Sequence, residues 1–470
     1  MSEFALRKFA VLSHILPPSS SGQAVVLYRL LRDCDPEKYC LLSSVEYPLT
    51  EMDSSLSEGN RITKRLAARY YHLPHESQMR VLHSTPFQLA RRAAKKLLSI
   101  RKNISGGSKL GKPSPVASEN TCSPKITVAQ KSRSQGWKTR FRDLVNTFDD
   151  WFNLRSQTKQ RSEAIVRILH KEKCEALVGC SGDLIDIPAG FHAAQKMGIP
   201  YYPYLFDDYN EQWRIPFQKK YAHKVWSQLK DHVSGIIVPN EFLANKYRES
   251  FQMNPIIIPN PVEDISPVQA PGISSMNRPV KIIYTGSIYD AHLDAFTNLL
   301  QAIHQLPEGA VEFHIYTPMD RSVLENYGIS APAILHPPLP LRESQQVQQQ
   351  ADLLFLPLAF ESPIPDIIRT SAPGKMGELL ASGRPILVHA PKDCFVSWYF
   401  REHKCGIVID ESNPEMLCDV LLSLPEQTDQ VWQFVRNAAH RAHEDFHISK
   451  AHDEFFGLLA NRARKSPKET

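Results

Sequence analysis

Lys375 and Glu378 stand three residues apart in SAPGKMGELLASGRP, residues 371–385, just after a Pro-Gly pair. A helix entrance there would offer free backbone N–H groups and the positive end of a dipole, which together suit an anion. Pro373 fits a first turn that needs no donor from it, and Gly374 lets a ligand come close to the backbone. Lys375 adds a full positive charge. Glu378 repels phosphate, but a carboxylate can accept two hydrogen bonds from a vicinal diol such as a ribose 2′,3′-pair. Phosphate at the tip and ribose one turn deeper describe a nucleoside diphosphate. Two solvated charges on an ordinary helix would leave the same local pattern, so other elements must decide.

A second turn points the same way. In YTGSIYDAHLDAF, Gly286 and Ser287 follow a strand and precede a helix, where a parallel sheet presents backbone amides to phosphate. The turn is not G-x-G-x-x-G, and no Asp follows where a dinucleotide fold needs one. In the first half, SSSGQ places Gly22 and Gln23 at the matching turn. CSGDLID and FDDYNEQW supply Asp183, Asp186, Asp207 and Asp208 as bases or as partners for sugar hydroxyls. Each could equally cap a loop or helix start. Asp208, in an aromatic-rich loop at a strand end, is the first choice of base. His192 reads as a helix-face residue. No Ser-His-Asp order, H-E-x-x-H or P-loop occurs, and no Cys-x-x-Cys, so zinc ribbons and thioredoxin-like redox cofactor sites are unsupported.

The positioning elements read as two α/β series. KFAVLSH, KYCLLSS, EALVGCS, IPYYPYLF, SGIIVPN and PIIIPNPV are strand-like in residues 1–262, with helices such as AVVLYRLLRD and EFLANKYRESF between them. VKIIYTGS, EFHIYT, AILHPPL, LLFLPLA, PILVHA and GIVI repeat the rhythm in 280–428. Short continuous apolar strands alternating with helices imply parallel sheets covered on both faces. The expected fold is α/β: two doubly wound Rossmann-like domains joined by a Pro/Ser-rich linker at 263–279, facing a cleft that holds the ligand. A charged helical tail follows at 429–470.

Composition bounds the class. The chain has 470 residues, 42% hydrophobic and 22% charged, with a net charge of +5. No apolar run spans a membrane, and no secretory signal is legible. Eight scattered cysteines fit free thiols in a cytoplasmic protein. The charge is uneven: Arg61 to Arg142 holds 19 Lys and Arg against two acids, so the remainder is acidic overall. Within that insertion, 47–146, FQLARRAAKKLLSIRKNI reads as a basic amphipathic helix. It could pack on the first sheet with a basic rim, or lay the segment 86–142 peripherally on an anionic inner membrane surface. No nucleic-acid module accompanies it.

IIVPNEFLANKYRESF with IIIPNPV, then YTGSI, then SAPGKMGELLASGRPILV, resemble in that order the GT-B-fold glycosyltransferases. The nearest likeness is to the large retaining family that uses nucleotide sugars, with its P-x-K-x-x-E-x-x-A-x-G-x-P segment. Pro373, Lys375, Glu378, Ala381, Gly383 and Pro385 fit it. The resemblance covers about 235–425 well and 8–45 loosely. It implies sugar transfer from a nucleotide diphosphate donor to a hydroxyl of a glycan or lipid-linked acceptor, without a metal, in glycan or polysaccharide biosynthesis. By position Glu378 would hold the ribose. Gly286, Ser287, Thr370, Ser371, Gly374 and Lys375 would surround the donor, with Lys375 assisting departure of the diphosphate. Gly22, Gln23 and Asp183 would face the acceptor. Three departures stand out. Thr370 takes the place of a frequent Glu, the first-domain His is missing, and GSIYDAHLD lacks the Arg and Lys that usually neutralise phosphate. His292 is then the local cation, with Arg369 as a further one. A binding scaffold without turnover and a sugar-nucleotide epimerase are the alternatives on the same fold.

Overall fold

The computed structural model describes residues 6–19, 21–47, 64–73, 133–263, 265–266, 279–424 and 427–460, with backbone only over 133–152. The chain divides into two compact units, Met1–Leu73 with Arg161–Thr470, and Pro74–Gln160. The basic helix expected at 86–104 and the Gly/Ser/Pro-rich stretch after it lie outside the described residues. A helix runs from Arg133 to Glu172. The sequence suggested only its last third, because RSQTKQRSE shows no apolar stripe to announce the rest.

The first unit contains two parallel sheets. β1 (Phe9–Leu12), β2 (Tyr39–Ser43), β3 (Arg69–His72), β4 (Ala176–Cys180), β5 (Tyr201–Tyr204), β6 (Ile237–Val238) and β7 (Ile256–Ile257) align in the order β3-β2-β1-β4-β5-β6-β7. β8 (Val280–Thr285), β9 (Val311–Tyr316), β10 (Ala333–His336), β11 (Leu353–Pro357), β12 (Ile386–His389) and β13 (Ile407–Ile409) align as β10-β9-β8-β11-β12-β13. In both, the chain winds outward from the first strand and then returns to its other side. The crevices therefore open beyond β1 and β4 in one sheet and β8 and β11 in the other. The two doubly wound sheets are the expected α/β architecture.

β3 was not expected. Its sequence, RYYH, carries no apolar run, and it is held from outside the pattern. Lys8 donates to the buried Glu172 carboxylate at 2.9 Å and Arg69 at 3.1 Å, and Tyr71 donates to the same group. Burial opposes the charge, but these donors pull the Glu172 carboxyl down to about 2.

Alternate residues of each strand feed opposite cores, as period two requires. Ile283 packs with Leu354, Leu356 and Val388 on one face. Ile282 and Tyr284 pack with Phe296, Phe313 and Phe355 on the other. The tail crosses between the halves. The helix Thr428–Phe446 contributes Ala438, Ala442 and Phe446 to the second-sheet core, whereas Ile448–Leu459 contributes Phe455, Phe456 and Leu459 to the core of the first. Phe455 is fully buried, 6.2 Å from Phe9 and 6.5 Å from Tyr204 between ring centroids. Among the described residues, seven cysteines are free and buried, and no helix is long and apolar enough to cross a membrane.

Truncating Phe455 to Ala removes a buried ring that ties the last helix to the first sheet. It is expected to destabilise the fold by about 3–5 kcal/mol, read as a lowered unfolding midpoint in urea.

Candidate functional site

The helix that carries Glu378 is short, Met376–Ala381, and Lys375 is its N-cap. The Met376 N–H is already donated to the Pro373 carbonyl at 2.8 Å. The expected anion grip by the helix entrance is therefore weaker than the sequence suggested, and the lysine itself is the dominant feature. Its ammonium donates to the Thr285 carbonyl at 2.5 Å and lies 3.9 Å from the centre of the Tyr284 ring. A side chain on Gly286 would collide with it. Gly286 has φ +128°, which glycine alone adopts without strain. Its own N–H is donated to the Tyr316 carbonyl at 2.8 Å, so it is not the free phosphate donor expected. Its contribution is space. The missing side chain lets a cation from another element sit at the end of β8. Ser287 is exposed beside it, and its carbonyl accepts from the Tyr284 hydroxyl at 2.6 Å.

Lys375 is half-buried as a residue, with its ammonium set against the Thr285 carbonyl, the Tyr284 ring and the Gly286 backbone. Burial pushes the Lys375 ammonium down to about 7, and the Glu378 charge offsets this only in part. His292 lies in the same enclosure and is 6% exposed, with an Nδ1 that has no partner. Burial, then the Lys375 charge, push its imidazole down to about 3. The expected cation is thus a neutral ring. Arg369 is elsewhere as well. With Phe242, Lys246, Asp366 and Thr370 it lines a separate 310 Å³ pocket.

Glu378 points across to the other domain. Its Oε1 accepts from Arg29 Nη2 at 2.6 Å, and Arg29 Nη1 donates to the Pro261 carbonyl at 2.8 Å. Thr370 is buried, its hydroxyl donated to the Asp366 carbonyl at 3.1 Å, so it does not substitute for a donor-binding Glu. Its own carbonyl accepts from Asn240 at 2.8 Å, and the Ala372 carbonyl accepts from Asn260 at 3.0 Å. Ser371 sits between these two ties as the C-cap of Pro365–Thr370. Gly374 is exposed, and a side chain there would lie 3.8 Å from the Gly22 backbone. The loops after β1 and β11 therefore converge, as a shared cleft demands.

On the first-domain side the expected groups are mostly structural. Asp208 is fully buried. Its Oδ2 lies 2.6 Å from the Lys246 ammonium, and its Oδ1 accepts from Asn210 N–H and the Tyr247 hydroxyl. It is not available as a base. Asp183 caps the start of Asp186–Met197 through Ile185 and Asp186 N–H and pairs with Arg161, which also holds Asp186 at 2.7 Å. Gln23 donates to Ser13 at 2.7 Å. The acid that reaches the cleft is Asp207, which keeps solvent contact. Desolvation by the surrounding protein, then the Asp208 charge, push its carboxyl upward, and the side chain's exposure to solvent moderates both. Its charge acts on Tyr289 of the second domain. Close by in sequence, Arg214 pairs with Asp290 at 2.6 Å, so the loops after β5 and β8 also meet.

Sequence reasoning missed Arg29, Asn240 and Asn260. Arg29 had a signal: it is a lone charge on the apolar stripe of AVVLYRLL, 4% exposed. Among the described residues no cluster of His, Cys, Asp or Glu could hold a metal ion.

No protein-family model matches the chain, and no curated protein matches its sequence. Solved structures do match its fold. HepE from Anabaena, solved with UDP-glucose, is 11% identical, with a TM-score of 0.56 over 96% of this chain and 99% of that one. Sucrose-phosphate synthase from Thermosynechococcus elongatus is 10% identical, with a TM-score of 0.57 over 96% and 97%. A glycosyltransferase from Rickettsia africae is 10% identical, with a TM-score of 0.53 over 97% and 99%. The class that this fold defines is GT-B, the two-domain architecture of those glycosyltransferases.

The lysine should show itself in stability. The unfolded chain holds the Lys375 proton up to about 10.5 and the folded chain only up to about 7. Between those values the unfolded state binds more protons, so stability rises with pH. Denaturant unfolding at pH 6.5 and 9 should show the wild type gaining on Lys375→Met as pH rises. Parallel curves would mean that Lys375 titrates normally.

Proposed function

We propose that the protein is a glycosyltransferase that moves a sugar from a nucleotide-diphosphate donor to an acceptor hydroxyl. The observation that carries this reading is Lys375. Sent from the late segment into the Gly286 turn at the β8/β11 crevice, it puts a cation where a phosphate would lie. Glu378, three residues on, stands where a ribose could be held. The shared fold with HepE, whose structure contains UDP-glucose, and with sucrose-phosphate synthase supports the assignment.

The chemical task is to stabilise a diphosphate as it leaves. A preorganised cation in a water-poor enclosure suits that task better than one in solvent. Lys375 must carry its proton to act, and an arriving diphosphate raises its pKa. Donor binding then takes up a proton and weakens above about pH 7. The neutral His292 ring adds no charge but offers Nδ1 to a donor hydroxyl. In a retaining, metal-independent reaction the departing phosphate takes the acceptor proton and no side-chain base is needed. Should the reaction invert, Asp207 is the base, since Asp208 is neutralised by Lys246. The acceptor enters between the loops after β5 and β8. A glycan or lipid-linked acceptor in polysaccharide assembly fits this reading. A peripheral membrane contact would fall to the basic segment 86–142.

Two substitutions test the two halves of the site. Glu378→Ala should lower affinity for the cognate nucleoside diphosphate about 10–100-fold without unfolding the protein, read by calorimetry over UDP, GDP and ADP. Asp207→Asn should leave that affinity intact; it slows transfer where the product's anomeric configuration, read by NMR, is inverted, and leaves the rate unchanged where it is retained. A variant with full transfer rate would remove Asp207 from the chemistry. Incubation with nucleotide sugar alone separates the classes: an epimerase alters the sugar, a transferase slowly releases nucleotide, and a scaffold does neither.

A further inference from the structure

The nucleotide reading leaves an electrostatic problem. Lys375 and Glu378 lie three residues apart at one helix start, close enough to pair directly. Such a pair would spend the cation meant for phosphate on the carboxylate meant for ribose. Arg29 prevents this. Its guanidinium is 4% exposed and reaches from the helix Gly22–Leu31 of the first domain. One arm holds Glu378 Oε1 at 2.6 Å, and the other is fixed on the Pro261 carbonyl at 2.8 Å, where the chain leaves the first domain. Lys375 turns the opposite way, to Thr285.

A buried ion pair of this kind is a poor stabiliser, because desolvation cancels most of its attraction. Two apolar side chains would hold the domains together at least as well. The arrangement makes better sense as positioning. An ionised carboxylate has about four acceptor sites on two oxygens. Arg29 takes one oxygen and fixes the plane of the group. The other oxygen belongs to a side chain that remains 12% exposed, at the edge of a 340 Å³ pocket lined by Arg342, Gln345, Gln349 and Ser382. A fixed, half-occupied carboxylate beside a polar pocket is what a vicinal diol needs.

We propose that Arg29 is the positioning residue of the nucleotide site: it clamps one oxygen of Glu378, keeps that carboxylate off Lys375, and leaves the second oxygen for the ribose diol. This rests on the nucleotide-sugar reading above. Because Arg29 belongs to the other domain, donor selection then depends on both domains being in register, and an isolated second domain would lose it.

The test compares each ribonucleotide with its 2′-deoxy analogue, UDP against dUDP and GDP against dGDP, by calorimetry on the full chain. Wild type should prefer the ribo form by about tenfold or more. In Arg29→Met that preference should fall close to one, with a lowered unfolding temperature, because Glu378 loses its partner. Arg29→Lys, which keeps the charge but lacks the fork that holds Glu378 and the Pro261 carbonyl together, should retain part of it. A folded Arg29→Met with the wild-type ratio overturns the proposal and leaves the nucleotide reading intact. If Arg29→Met does not fold, Arg29→Lys decides, and an unchanged ratio overturns the proposal. A wild type that binds none of the four nucleotides overturns the nucleotide reading and this proposal with it.

Discussion

An ammonium group enclosed by a turn without a side chain is the constraint around which this site is built. Removing much of the water from Lys375 is costly, and a carbonyl, one aromatic face and the Glu378 charge compensate in part. The cost is sustained because the surrounding structure over-determines the position. Asn240 and Asn260 hold the carbonyls of Thr370 and Ala372, Arg29 holds Glu378, and Gly286 vacates the volume. An under-solvated cation held rigidly at the carboxyl end of a parallel sheet is primed for an anion.

The same segment, 370–378, is also the seam between the two Rossmann-like halves. Three ties on it, from Arg29, Asn240 and Asn260, come from the first domain or the stretch leading out of it. Binding and domain orientation are therefore not separate matters here. A ligand that displaces or shares Glu378 acts on Arg29, and through Arg29 on the chain at Pro261. The tail helices reinforce the coupling, since Thr428–Phe446 belongs to one core and Ile448–Leu459 to the other.

Much of the frame was legible. All six strands of the second sheet are short apolar runs with turn residues at both ends, and each appears where its pattern placed it. β3 was not legible, because RYYH is an edge strand whose Arg69 and Tyr71 side chains hold Glu172, while Tyr70 packs against the core. The helices Pro365–Thr370 and Phe395–Glu402 were also hidden, the first within a Pro- and Ser-rich run and the second inside a run of aromatics. In the candidate site, Lys375, Glu378 and Gly286 were singled out from their types and spacing. Asp208 was preferred to Asp207 although adjacent residues of one loop cannot be told apart by type. Burial against Lys246 separates them, and burial is not a property of the dipeptide.

The sequence alone settled what period and composition control. It specified two parallel sheets, the order of most of their strands and helices, a turn that needs glycine, and the placing of a lysine and a carboxylate in one short helix. Those features follow from local sterics and from apolar residues avoiding water, both written along the chain. Only the tertiary structure decided which charges meet. Arg29 and Glu378 are 349 positions apart, and Lys375 and Thr285 are 90 apart. Such contacts depend on how two separately folded sheets dock. No local pattern encodes the distance between side chains that the chain brings together only after both cores have formed.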